Sequence, residues 1–121
     1  MPVLNIIVAL PEGGRLYAAL EAAMAASALG RPARIFLQGE AAALLRAPVC
    51  FAGDAARRAA GQPDLASMID EAIAMEIGLL VCQSGLALAG MAATELVPQV
   101  RAAGLVSFLA EIGDGDRLVV Y

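Results

Sequence analysis

The sequence predicts a three-layer α/β/α domain built on a five-stranded, mainly parallel sheet. Three observations predict it. Short runs that are apolar at nearly every position recur along the chain, as strands covered by helices on both faces require. Segments with a helical apolar period separate those runs, and that alternation marks a parallel, helix-covered sheet. Gly and Pro punctuate the junctions. A chain of 121 residues suits one core, so residues 1–121 are expected to form a single domain.

Residues 3–10, V-L-N-I-I-V-A-L, form the first expected strand, and Pro11-Glu12-Gly13-Gly14 ends it. From Arg15 the period changes. Leu16, Leu20, Ala23, Met24 and Ser27 share one helical face, with Glu21 opposite. Gly30 stands where a helix-ending glycine belongs, and Pro32 follows. Residues 33–37 read as a second strand and residues 41–45 as a short helix. Residues 46–62 are irregular, with one helical turn expected near Asp54. Leu65, Met68, Ile69, Ala72, Ile73 and Ile77 then repeat at helical spacing, with Asp64 placed to cap the first turn and Gly78 to end the helix. Residues 79–82, L-L-V-C, are the third strand, Gln83-Ser84-Gly85 its exit turn, and residues 86–91 a short helix. A helix starting at Thr94 or Val97 and closed by Gly104 is expected next. Residues 105–109 read as a fourth strand, Glu111 to Asp116 as a polar turn, and residues 117–121 as a fifth strand.

Composition excludes several function classes. The apolar set AVILMFWYC makes up 60% of the chain, much of it Ala, which leaves apolar surface available for subunit association. Twelve acidic residues against eight basic ones give a net charge of −4, and a chain without a basic stripe is not expected to bind nucleic acid. There is no His and no Lys, which removes His-based acid–base and nucleophilic chemistry, Schiff bases and the P-loop lysine. Cys50 and Cys82 have no metal-ligand spacing, so neither a metal nor any other cofactor is expected. No basic region precedes the apolar start Met1-Pro2-Val3-Leu4-Asn5, so no signal peptide is read; a cytoplasmic location is expected, where a structural disulfide would not persist. The uncharged stretch from Ile77 to Ala93 carries Gln83, Ser84 and three glycines and falls short of the ~20 apolar residues of a membrane span.

In a parallel sheet, sites gather beyond the carboxyl ends of the strands. Three loops qualify on this reading: residues 11–14, residues 82–85 and residues 110–115. Cys82 ends its strand directly before a helix, where the backbone N–H groups of Gln83, Ser84 and Gly85 can favour a thiolate. A thiolate can attack sulfane sulfur and carry it as a persulfide without His or metal. The alternative is structural, because free Cys is among the most buried residue types and can pack like a small valine. Gln83, Ser84 and Gly85 are also ligand-binding candidates. Gly13 and Gly14, assisted by Arg15, could cradle an anion, although a tight turn explains them too. Glu12 and Glu111 could sit at the same edge. Cys50 reads as a bystander unless it comes within disulfide reach of Cys82.

The segment from Gly78 to Met91, G-L-L-V-C-Q-S-G-L-A-L-A-G-M, resembles the cysteine segment of the DsrE/DsrF-like family. The order of elements resembles that family over nearly the whole chain. The resemblance implies a small protein of sulfur relay or sulfur oxidation that holds sulfur on Cys82, with a sulfur donor or acceptor protein as partner. It also implies a homotrimer or homohexamer. A non-catalytic oligomeric module binding a small anionic or apolar ligand remains the alternative.

Overall fold

A computed structural model describes residues 2–121; Met1, the first residue of the start read as lacking a basic leader, lies outside them. Five strands form one sheet in the order β4-β3-β2-β1-β5: β1 Leu4–Val8, β2 Ala33–Leu37, β3 Gly78–Cys82, β4 Arg101–Ala103 and β5 Arg117–Val120. Every pairing among them is parallel. The helices are α1 Gly13–Ala28, α2 Asp54–Ala59, α3 Leu65–Ala74, α4 Gln83–Ala89 and α5 Leu105–Ala110, with 3-10 helices at Gly39–Leu45 and Ala93–Glu95.

The strand order dictates the layers. From β1 to β4 the chain steps across the sheet in one direction, and β5 then returns to the far side of β1. Right-handed crossovers place the helices of the outward steps on one face and the helix of the return on the other. The core divides that way. Leu16, Leu20 and Ala23 of α1 and Leu65, Met68, Ile69 and Ala72 of α3 pack with Ile6, Val8, Ile35 and Val81 on the first face. On the second face Ile7, Phe36, Leu80 and Cys82 meet Phe108 of α5.

Local signals account for the end of α1 and the start of α3. Gly30, at φ +79, follows α1; its N–H donates to Ser27 O, and that of Arg31 to Ala26 O. Those two bonds satisfy carbonyls the helix leaves open. The Asp64 carboxylate caps α3 by accepting from Ser67 N at 2.9 Å.

Five expectations are corrected. Gly78 does not end the third helix. Glu76, at φ +63, takes the left-handed position after α3, and Gly78 opens β3. Gln83-Ser84-Gly85 is not a turn, because α4 begins directly at Gln83. No helix runs from Thr94 or Val97 to Gly104. That stretch holds a 3-10 turn and the short edge strand β4, which Pro98 and the two residues after it lead into. Residues 105–109 form α5 instead of a strand, and Gly104 starts that helix instead of closing one. A short apolar run fits either element, and the deciding period lay beyond it. Leu105, Phe108 and Ile112 all reach the second core cluster, while Val106 is 83% exposed. Residues 110–115 consequently lead into β5 at the amino end of the sheet, not out of a strand at its carboxyl end.

Among the described residues, no helix is long and apolar enough to cross a membrane.

Candidate functional site

Cys82 is the last residue of β3 and the residue that begins α4, in extended conformation with φ −69 and ψ 125. The strand ends there because the Cys82 backbone turns straight into the helix, with no loop between. Alternation along β3 turns Val81 to the first face and Cys82 to the second. Cys82 is paired in register with Ala103 of β4. It is a buried residue, 6% exposed, within the cluster of Ile7, Phe36, Leu80 and Phe108.

Its polar surroundings are specific. The sulfur makes a hydrogen bond of 2.9 Å with the Ser84 hydroxyl. Burial pushes the Cys82 thiol up. The Ser84 hydroxyl and the backbone N–H groups of Gly39, Gly85 and Ser84 outweigh it, so the thiol stands below its ordinary value. The cause is the one that lowers cysteines generally: donors aimed at a sulfur stabilise its anion.

Gly39 was not legible as a site residue. It opens the 3-10 helix that follows β2, in left-handed conformation at φ +58. Because β2 lies beside β3 in parallel register, the exits of the two strands are neighbours. Strand pairing supplies that proximity, and a sequence does not state strand order. Gly85 is buried, and a side chain there would meet the Gly39 carbonyl. Gln83 is exposed on the first turn of α4.

Gly13, Gly14 and Arg15 stand apart from the cysteine. They open α1 after β1, and β2 separates β1 from β3. The Phe51 ring covers Gly13 so closely that a methyl there would strike it, whereas Gly14 has open space around it. Arg15 is ion-paired with Glu12 on the surface. Gly13 is therefore a packing position under an aromatic ring, and the charge of Arg15 is answered locally.

Glu12 and Glu111 do not share an edge. Glu12 follows β1 at the carboxyl end, whereas Glu111 follows α5 and pairs with Arg34, near the start of β2, at 2.6 Å. Cys50 is exposed and Cys82 buried, and both are free thiols. Among the described residues no group of three or more Cys, Asp and Glu side chains is placed to hold a metal ion.

The sequence model of the DsrE/DsrF-like family matches residues 1–121. Two solved structures resemble the fold over the whole of both chains. One is the ychN protein from E. coli, at 20% identity and a TM-score of 0.76. The other is the protein of unknown function MTH1491 from Methanobacterium thermoautotrophicum, at 12% identity and a TM-score of 0.73. At those identities the likeness is one of fold. No curated protein matches the sequence.

Proposed function

The chain belongs to the DsrE/DsrF-like family, and on that premise we propose that it is a small, single-domain sulfur-carrier or sulfurtransferase-like protein. Cys82 is the carrying residue and holds sulfane sulfur as a persulfide. The observation that supports this most is the 2.9 Å hydrogen bond between the Cys82 sulfur and the Ser84 hydroxyl at a strand end, where the backbone amides of Gly39, Gly85 and Ser84 also hold the thiol below its ordinary value. A thiol packed merely as a small valine needs none of them.

The chemistry balances with no group beyond two thiols. The Cys82 thiolate attacks the outer sulfur of a donor persulfide, R–S–SH. A new S–S bond forms on Cys82, the donor S–S bond breaks, and the donor leaves as the thiolate R–S⁻. The proton stays on the transferred sulfur. Delivery is the same step in reverse sense: an acceptor thiolate attacks the outer sulfur of Cys82–S–SH, and Cys82 leaves as thiolate. A lowered thiol favours both halves, because it raises the thiolate fraction and improves the leaving group.

The partner in this reading is a protein that donates or accepts sulfane sulfur, and the setting is the reducing cytoplasm. A homotrimer or homohexamer would use the apolar surface left open on the chain, where Val106, Leu109, Leu118 and Val120 are exposed. Gln83, next to Cys82 in the chain and exposed, would meet the incoming donor in this reading. The alternative, a module binding a small anion or apolar ligand at Gly13, Gly14 and Arg15, has less support, because Phe51 covers Gly13 and Glu12 pairs with Arg15.

The test is intact mass after the reduced protein meets a sulfane-sulfur donor. The expected result is one added sulfur, mapped to the Cys82 peptide and missing in Cys82→Ser. An unchanged mass under conditions that load a known carrier rejects the proposal.

A further inference from the structure

Three of the four donors around Cys82 come with its own segment. Ser84 supplies a hydroxyl and an amide, and Gly85 supplies an amide, all within the first turn of α4. Once β3 runs into α4 these are fixed. The fourth, the Gly39 amide, belongs to the 3-10 helix after β2, which the pairing of Leu37 with Val81 and the contact of Gly39 with Gly85 bring to the Cys82 end of β3. Its place depends on how closely that helix approaches α4.

The approach is closer than any side chain allows. A methyl built on Gly85 would run into the Gly39 carbonyl oxygen. It would also stand 2.8 Å from the carbonyl carbon and 3.2 Å from the Ala42 Cβ. Backbone lies against backbone there, so the obstruction is not the end of a flexible side chain that can swing away. Gly39 itself has open space around its Cα but a left-handed φ of +58, which most side chains disfavour. Gly85 is glycine for want of room, and Gly39 for its backbone angle.

Resting on the reading of Cys82 as a sulfur carrier, we infer that the Gly39–Gly85 contact is a positioning device for the reaction: it holds an amide from a second element against the Cys82 sulfur, and reactivity at that sulfur depends on it. Neither glycine is a catalytic residue through a side chain. Gly85 acts through its own N–H and, by the contact, through Gly39; Gly39 acts through its N–H. The same donor serves uptake and delivery, since it stabilises the attacking thiolate in one and the departing thiolate in the other.

The experiment follows the pH dependence of Cys82 alkylation in the full chain, with the Cys82 peptide quantified by mass spectrometry so that exposed Cys50 does not contribute. In Gly85→Ala the pH of half-maximal rate should rise by roughly half a unit, one donor's share of the lowering that such settings give. Leu88→Ala, an exposed position on α4, should leave it unchanged. A folded Gly85→Ala protein with the original midpoint overturns the inference while leaving the carrier reading intact. Because Gly85 also supplies an amide of its own, Gly39→Asn and Gly39→Val decide whether a raised midpoint comes from Gly39, and they stand alone if Gly85→Ala does not fold. Asn tolerates left-handed backbone and should keep the midpoint, while Val should raise it. Equal midpoints in the two overturn the inference. A starting protein whose Cys82 titrates no lower than in the unfolded chain overturns the carrier reading and this inference together.

Discussion

The two faces of the sheet are covered unequally. On the first, α1 and α3 lie side by side over β1, β2 and β3, and the 3-10 helix and α4 extend the same cluster through Ala41, Ala42, Leu45 and Leu86. On the second, one helix of six residues does the covering, and Phe108 is its only buried side chain. That helix is tied by few contacts. Phe108 packs against Phe36 with ring centroids 5.0 Å apart. The Arg34 guanidinium lies 4.1 Å above the Phe108 ring and donates to Phe108 O at 2.7 Å. The carrier cysteine candidate sits on this lightly covered face. The difference is one of cover: one face holds most of the core, and the other places the Cys82 thiol under a single short helix. Low-stability elements are where functional motion is drawn from.

The largest effect should come from Phe108→Ala. It removes the one buried contact of α5, the aromatic pair and the surface beneath Arg34. A loss of about 3–5 kcal/mol in urea titration is expected, as for buried aromatic truncations. Cys82 should at the same time become faster to alkylate, because Phe108 packs in its cluster. A loss of stability with no gain in Cys82 reactivity would show that α5 does not control access to the thiol.

Leu20→Ala probes the other face. Leu20 is fully buried in α1, and the cost should be about 2–5 kcal/mol. Here the native alkylation rate of Cys82 should stay as it is, because no residue of α1 belongs to the cysteine's cluster. If both substitutions open the thiol alike, the faces are one cooperative unit and the comparison fails.

How much of this was legible in sequence follows from the same division. Most of the first face was readable, because α1 and α3 are long enough for a helical period to declare itself and Asp64 and Gly30 mark their ends. The second face was misread. Residues 105–109 are too short for their period to be seen unless Ile112, beyond the apolar run, is counted with Leu105 and Phe108. β4 was missed because an edge strand of three residues with Arg101 exposed carries no apolar signature. At the site, Cys82 and its neighbours Ser84 and Gly85 were identified by adjacency along the chain. Gly39 was not, because it reaches the sulfur only through the pairing of β2 with β3.

A smaller effect on the first face is pH-dependent. Hydrogen bonds from the Ser67 amide and hydroxyl, then Arg58, hold the Asp64 carboxyl below the usual carboxylate range. For a carboxyl lowered by folding, the stability it contributes is present above its unfolded pKa and is lost as pH falls through the folded value. Asp64→Ala should therefore melt lower than the original chain at neutral pH, and the gap should close on acidification. A gap that persists unchanged in acid would mean that the carboxylate charge is not what caps α3.

The smallest effect on folding is expected on the uncovered part of the second face. Val120 of β5 is 61% exposed, and Leu118, two residues back and so on the same face, is also open. In register Val120 lies beside Ile7, so that row of the sheet runs from the buried cluster to the open edge. Mostly exposed apolar side chains add little to the stability of their own chain, and Val120→Ser should change the unfolding free energy by no more than about 0.5 kcal/mol. If copies of the chain assemble through this edge, the same substitution should shift the sedimentation of the native protein toward the monomer. A loss comparable to that of Leu20→Ala, measured at a concentration where the original chain is monomeric, would instead mean that Val120 is buried by its own chain. The second face would then be more fully covered than α5 alone accounts for.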